Sequence, residues 1–413
     1  MNKPRILLYS HDTFGLGHLR RSLLVAGQIA NDIPGAHQLL ITGSMVAGAF
    51  GLPPRLDMIK LPALSKRTSG EYRARVLPLS LKRTLAWREE MILQAAMHFR
   101  PHLVLVDKAA SGVHGELIPT LRWLRVWSPD TRIVLGMRDI EDSPSATRAE
   151  WMLNGVPELF EGTYDAILFY GERAVFDPVT AYGMSPAAAA KLIECGYLRR
   201  MQAARSPTTV RRELGIGDQP LVVVTVGGGG DGFPVVKNFL EMLAAQPQPY
   251  ASVVVTGPLM ARVQRAQVHR LARQTPAIML EFTPDLFSYL AAADLVVGMA
   301  GYNTVCELLS LGQRALLVPR AHVREEQRLR ALGLAQRGLA RVLLPEELTP
   351  DRLSAEITLA LAQPRPAVTL NLDGLPRAAA ALACLLSAAA CPPVDAPDAT
   401  WLQRSRLAET LAD

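Results

Sequence analysis

The sequence predicts an α/β protein built from two similar parallel-sheet domains, and three observations carry that prediction. Short runs rich in Val, Ile and Leu alternate with helix-like segments along the whole chain, as strands buried on both faces and joined by helical crossovers do. Each half opens alike, with an apolar run feeding a glycine-rich loop, FGLGH at residues 14–18 and VGGGGDG at residues 226–232. At 413 residues the chain is longer than one ordinary core organises. Two Rossmann-like domains facing one another across a cleft are expected.

Strands are expected at residues 6–10, 38–42, 103–107, 133–137 and 166–170 in the first half, and at 221–226, 252–256, 278–282, 295–298 and 315–319 in the second. The charged, proline-containing stretch 200–219 marks the boundary between an amino-terminal domain, residues 1–200, and a carboxy-terminal domain, residues 215–365. Residues 366–413 follow as a helix rich in Ala and Leu, residues 374–390, and a loosely held tail carrying Pro392, Pro393 and Pro397.

Composition narrows the function classes. An apolar share of 49% with 20% charged residues marks a globular chain with large cores. The net charge of +6 suits a phosphate-bearing ligand or an anionic membrane surface, but it is too diffuse to argue for nucleic acid. Cys195, Cys306, Cys384 and Cys391 form no CxxC pairing, so neither a zinc site nor a disulfide framework is indicated, and a reducing cytoplasm is the expected home. The opening MNKPRILLYSHD is too brief for a signal peptide, and the longest apolar stretch, residues 378–390, falls short of a membrane span. A soluble protein, peripheral to a membrane at most, is expected.

Residues 227–232 satisfy G-x-G-x-x-G at Gly227, Gly229 and Gly232, where missing β-carbons let backbone amides approach a diphosphate. The pattern alone is equally a tight strand-to-helix turn. No Lys-Ser/Thr follows, which argues against a nucleotide-hydrolysing P-loop. The next strand ends in Thr256-Gly257-Pro258 and not in an acid, which weakens the case for NAD.

The stretch 298–327 reads as strand, tight loop, short helix, strand and polar loop. Gly301-Tyr302-Asn303 precedes the helix at the carboxyl end of a strand, where α/β sheets bind ligands and helix starts hold anions. Thr304-Val305-Cys306-Glu307 matches a capping box in the first turn, so two roles are open to Glu307: folding back as a cap, or accepting hydrogen bonds from a ribose diol. His322, Glu325, Glu326 and Gln327 crowd the following loop, as sugar-reading groups or as a solvated surface.

In this order, the motifs resemble the nucleotide-sugar-binding domain of GT-B glycosyltransferases. The similarity is to the inverting family 28 group, which includes the lipid II-forming N-acetylglucosaminyltransferase and the plant galactolipid synthases. The matching segments are the glycine loop 227–232, LEFTPDLFSYLAAADLVV at 280–297, and AGYNTVCELLSLGQRALLVP at 300–319 with HVREEQ at 322–327. They cover most of residues 220–345. FGLGH is similar to the group's amino-terminal glycine-and-histidine loop, and the whole chain resembles uncharacterised predicted glycosyltransferases of this kind.

The resemblance implies a GT-B fold and inverting transfer of a hexose or N-acetylhexosamine from a nucleotide-diphosphate sugar, with UDP as nucleotide, to an acceptor hydroxyl. No cofactor or metal is implied beyond that co-substrate. The backbone around Phe282 and Thr283 would meet the base. Gly227, Gly228, Gly229, Gly301, Asn303 and Thr304 would hold the diphosphate, with Gly17 opposite. Glu307 would bind ribose, Glu326 and Gln327 the donor sugar, and Arg199 or Arg200 would be the arginine after the interdomain turn. Two departures stand: Met299-Ala300-Gly301 replaces the group's Ser-x-Ser-Gly, and Glu326-Gln327 replaces its glutamine pair.

His18 is the expected catalytic base. At a helix start the macrodipole disfavours imidazolium, and a neutral ring can take the proton of an attacking hydroxyl. A histidine that merely fills the turn is the alternative. His11, Asp12, Asp107, Lys108, Arg138 and Asp139 end strands at the same edge, as rival bases or acceptor contacts. Between Lys66 and Arg88 seven cations (Lys66, Arg67, Arg73, Arg75, Lys82, Arg83, Arg88) face one acid, Glu71, with leucines and Trp87 interleaved. That stretch suits docking on anionic lipid at the inner face of the membrane, or equally a solvated basic helix. The acceptor is lipid-linked or a small molecule. Two other functions stay open: a sugar-nucleotide epimerase using Asp107, Asp139 or Glu141, and a non-catalytic sugar-nucleotide-binding subunit.

Overall fold

The computed structural model describes residues 3–11, 17–66, 72–200, 204–320 and 324–387. The first half supplies nine strands: β1 Arg5–Ser10, β2 His37–Thr42, β3 Leu56–Lys60, β4 Leu64–Lys66, β5 Tyr72–Ala74, β6 Leu103–Asp107, β7 Arg132–Arg138, β8 Ala166–Tyr170 and β9 Leu192–Glu194. Seven form a parallel sheet in the order β3-β2-β1-β6-β7-β8-β9, while β4 and β5 make an antiparallel hairpin outside it. The second half supplies β10 Leu221–Thr225, β11 Ala251–Val255, β12 Ile278–Leu280, β13 Leu295–Gly298, β14 Ala315–Leu317 and β15 Arg341–Val342. These form a six-stranded parallel sheet, β12-β11-β10-β13-β14-β15.

Both sheets run outward in two directions from their first strand, so each has a switch point, at β1/β6 and at β10/β13. Loops leaving neighbouring strand ends diverge there and open a crevice. Every strand expected from sequence has a counterpart, with ends shifted by a residue or two. Three edge strands were not expected: β3, β9 and β15. Their short, half-exposed sequences, such as LDMIK at β3, lack the buried apolar run that marks a central strand.

The charged connection sides with the second half, since Arg205 reaches Asp285 at 2.6 Å and Arg211 reaches Asp294 at 2.5 Å. The helix Gly374–Ser387 crosses back to pack on the first helix, Gly17–Asp32, through a shared apolar core holding Val25, Ala26, Ile29, Leu375, Ala378 and Leu382. Pro392, Pro393 and Pro397 lie outside the described residues.

Of the basic stretch, Arg73, Arg75, Lys82 and Arg83 are exposed, together with Val76, Leu77 and Trp87. Arg88 is not part of that surface. It is 1% exposed and donates to both oxygens of Glu116 at 2.6 Å, pinning the helix Leu81–Phe99 to the core. Arg67 and Glu71 lie outside the described residues. Among the described residues, no helix is long and apolar enough to cross a membrane.

Candidate active site in the interdomain cleft

The two switch points share one cavity of about 270 Å³, on the scale of a small-ligand site. The first half lines it with Gly17, His18, Arg20, Arg21 and Arg138. The second half adds Gly227, Gly228, Gly229, Phe282, Thr283, Gly301, Asn303, Thr304, Arg320, Glu326 and Gln327. Of the expected site residues only Glu307 and Arg199 do not line it. Gly15, Leu16, Asp12 and His322 lie outside the described residues.

The glycines of the second loop divide their work. Gly227 has φ +60° with open space where a side chain would project, so its backbone faces the cavity unobstructed. Gly229 is dictated by packing: a β-carbon there would stand 2.2 Å from the Thr256 carbonyl oxygen. The turn Thr256-Gly257 is thus occupied by backbone contact with this loop, which accounts for the missing acid. The helix Phe233–Ala245 then begins at Gly232 without a side-chain cap.

The helix Tyr302–Leu311 also starts without a side-chain cap, at Gly301, and this corrects the capping-box expectation. Thr304 is the third helical residue and Glu307 lies in the second turn, too far along to bond the helix start. Instead, Glu307 is 3% exposed, and its Oε1 accepts from Arg20 at 2.5 Å and from Arg200 at 2.7 Å. Its Oε2 is buried with no hydrogen-bond partner among the described residues. Arg199 is likewise corrected: its guanidinium turns outward to Asp373 at 3.4 Å, and Arg200 is the arginine that reaches Glu307. Asn303 ties the two halves together, its Nδ2 donating to the Gly17 carbonyl at 3.0 Å. One helix start with uncapped amides, at Gly301–Thr304, and the glycine loop therefore border a cavity lined by four arginines, a combination suited to an anion.

Arg320 straps the start of the helix Glu326–Ala335 to the glycine loop. It donates to Asp231 of the glycine loop at 3.0 Å and to Glu326 at 2.5 Å, while its own amide bonds Gln327 Oε1 at 3.1 Å. Burial pushes the Glu326 carboxyl up, but Arg320 and the surrounding cations hold it below the usual range. Glu326 Oε2 is buried without a partner among the described residues.

His18, the second residue of its helix, lies 2.6 Å from Asp107 Oδ2 at the end of β6. Asp107 also accepts from Arg21 Nε at 2.7 Å and Nη2 at 2.8 Å. Burial would raise the Asp107 carboxyl, yet Arg21 and His18 hold it well below the carboxylate range, so it is an ionised acceptor. The ionised carboxylate at 2.6 Å outcompetes the Arg21 Nη2 donor, 3.0 Å from the same nitrogen, and favours the proton on His18 Nδ1. That tautomer carries its lone pair on Nε2, which is what a general base requires. Burial, then His18, hold His11 well below the usual histidine range, so it stays neutral.

The other acids at this edge are engaged elsewhere. Asp139 is 1% exposed and bidentate to Arg330, at 2.8 and 2.7 Å. Glu141 is shared by Arg138 at 3.2 Å and Lys108 at 3.3 Å; burial raises it, but Arg138 and Lys108 bring it down to about 2. Sequence reasoning missed Arg20, Arg21 and Arg330. The signal for Arg21 was present, since a residue three places after His18 shares its helix face. Nothing in the sequence marks Arg330 as a partner of Asp139, 191 residues away.

Residues 222–370 match the glycosyltransferase family 28 C-terminal domain. Relatives include the UDP-N-acetylglucosamine–N-acetylmuramyl-(pentapeptide) pyrophosphoryl-undecaprenol N-acetylglucosamine transferase of Halalkalibacterium halodurans, 30% identical over 41% of this chain and 46% of the relative. The enzyme of the same name from Hahella chejuensis is 28% identical over 56% of this chain and 64% of the relative. The chain spans about half the length of the curated relatives it matches, from 30% to 64%. Among solved structures, CalG4, the calicheamicin glycosyltransferase, superposes with a TM-score of 0.60 at 18% identity, covering 94% of this chain and 99% of that one. MurG of Acinetobacter baumannii gives 0.55 at 14% identity, covering 93% and 99%. Residues 222–370 thus match the family 28 C-terminal domain, and the chain as a whole has the GT-B fold of two Rossmann-like halves.

Proposed function

We propose that this protein is an inverting glycosyltransferase that moves a hexose or N-acetylhexosamine from a UDP-sugar to an acceptor hydroxyl. The observation that carries the reading is His18, held by Asp107, facing across one cavity the uncapped helix start at Gly301 and the glycine loop. His18 Nε2 takes the proton of the acceptor hydroxyl as that oxygen attacks the anomeric carbon. The bond from that carbon to the diphosphate oxygen breaks on the opposite face, and configuration inverts. Charge developing on the leaving diphosphate meets the amides at Gly301–Thr304, the glycine loop and the cleft arginines, so the reaction calls for no metal ion. Glu326 and Gln327 take the sugar and the backbone at Phe282 and Thr283 the base, while Glu307, behind the lining Arg20, takes the ribose hydroxyls once that guanidinium turns to the diphosphate. The relatives' names, which specify a UDP-N-acetylglucosamine donor and an undecaprenol-linked acceptor, support UDP and a lipid-linked acceptor.

The epimerase reading loses support because Asp139 and Glu141 are locked in ion pairs and Asp107 orients His18. Incubation with UDP-N-acetylglucosamine, UDP-glucose and UDP-galactose, with and without lipid-extract acceptors, tests the proposal. Acceptor-dependent UDP release supports transfer. A C2-inverted sugar formed without acceptor refutes it in favour of epimerisation, and tight binding with no turnover refutes it in favour of a binding subunit.

A further inference from the structure

Tyr302, the first residue of the donor-side helix, lies between two guanidinium groups. Arg21 from the first half stands 5.6 Å from the ring centroid and Arg330 from the second half 5.8 Å. The Tyr302 hydroxyl donates to the Tyr170 carbonyl at 2.9 Å and accepts from the Leu198 amide at 3.4 Å, so the ring is embedded in the opposite domain. Arg330 completes the contact. Besides its two bonds to Asp139, it donates to the Ala300 carbonyl at 2.8 Å. Arg21, Asp139, Tyr302 and Arg330 are all buried. From the partly exposed His18, an unbroken line of buried contacts therefore runs through Asp107, Arg21, Tyr302 and Arg330 to Asp139.

The Ala300 carbonyl and the Gly301 amide share one trans peptide plane, so a carbonyl drawn toward Arg330 turns the Gly301 N–H to the other side. Gly301 lines the cavity and starts the helix whose amides are uncapped. Arg330 thus sets the orientation of the anion-binding turn, and Asp139 anchors Arg330 from the domain that carries the base. A lysine would not do the same, since it offers a point charge where this site uses three directed donors.

We propose that Arg330 and Asp139 are positioning residues of the transfer: without touching substrate, they hold the turn 300–304 in register with His18 across the domain interface. This rests on the transferase reading. The test uses the double variant Asp139→Leu/Arg330→Met in the full chain, because removing both charges together leaves no unpaired ion and spares folding. Hydrogen exchange over residues 298–306 is compared with the wild type, alongside kcat for UDP release from UDP-N-acetylglucosamine and the Kd for UDP. The expected result is a folded variant with faster exchange in that segment alone and kcat lower by roughly 10- to 100-fold, the scale of a small misplacement of reacting groups. The Kd for UDP should rise as well, since the Gly301 amide that Arg330 aims is assigned to the diphosphate. Unchanged exchange at residues 298–306 overturns the proposal whatever the activity, and faster exchange with wild-type kcat overturns it too. A wild type that neither binds nor cleaves the donor refutes the transferase reading first, and the catalytic consequence with it.

Discussion

Replacing Asp107 with asparagine isolates the chemistry of the base from its position. Asp107 accepts three hydrogen bonds, one from His18 and two from Arg21, at 2.6, 2.7 and 2.8 Å. Asparagine offers one oxygen and one NH2. If the oxygen takes the Oδ1 place beside Arg21 Nε, the NH2 takes the Oδ2 place, where it faces both Arg21 Nη2 and His18, and Nδ1 must give up its proton to accept. The proton then sits on Nε2, and the lone pair needed to receive the acceptor's proton is gone. If the amide flips, its NH2 opposes the Arg21 guanidinium, donor against donor. Loss of a positioned general base costs about 10²- to 10⁴-fold, or roughly 3–5 kcal/mol of activation free energy. The Arg21 charge also loses its buried partner, which can cost about 3–5 kcal/mol of stability, so kinetics must be run well below the lowered Tm. The assay is steady-state UDP release, with UDP affinity measured by calorimetry on the same sample. Asp107→Asn should lower kcat by about 100- to 1,000-fold with Kd for UDP within about threefold. A folded variant with kcat within about fivefold of wild type would refute the assignment of His18 and Asp107.

Glu307→Gln keeps the side chain's volume but weakens its bonds to a ribose diol, and should raise the Kd for UDP by about 10- to 100-fold; unchanged affinity would leave Glu307 only its ties to Arg20 and Arg200. Lys108 is held to about 8, below its usual 10.5, first by burial and in spite of Glu141. Between those values the unfolded chain binds more protons than the folded one, so stability should rise with pH from 8 to 10.5 by up to about 2–3 kcal/mol. Lys108→Met should flatten that rise, and an identical urea-denaturation profile in both proteins would count against it. Trp87→Glu combined with Val76→Glu should abolish flotation with vesicles containing phosphatidylglycerol, given their exposure beside Arg73, Arg75, Lys82 and Arg83; retained flotation would remove this face from consideration.

The fold was legible because its signals are local. Central strands such as LVVVT at β10 are buried on both faces and read as apolar runs, and the glycine loops announce where strands turn into helices. Edge strands escaped because a half-exposed five-residue segment carries no such run. At the site, cavity-lining residues were legible where they sit on loops after strand ends, as at Gly227 and Gly301. What stayed hidden depends on long-range pairing. Glu307 looked like a cap from its spacing to Thr304, but the helix begins at Tyr302 and the carboxylate serves arginines 107 and 287 positions away. Asp107 looked like one rival base among several until its distance to His18 made it the group that orients the base. Spacing along the chain carries helix-face information, but not which carboxylate from β6 meets which helix start.

The central claim is that this cleft binds a nucleotide-diphosphate sugar across both halves. Thermal shift against UDP-, GDP- and dTDP-sugars, with NAD as control, tests it most directly, because a ligand bound at a hundred times its Kd adds about 2.7 kcal/mol to stability. The account predicts a rise in Tm with UDP-sugars that Glu307→Gln cuts to the equivalent of about 0.4–1.4 kcal/mol at the same ligand concentration, and none with NAD. A rise with NAD, or none with any nucleotide sugar, would contradict it.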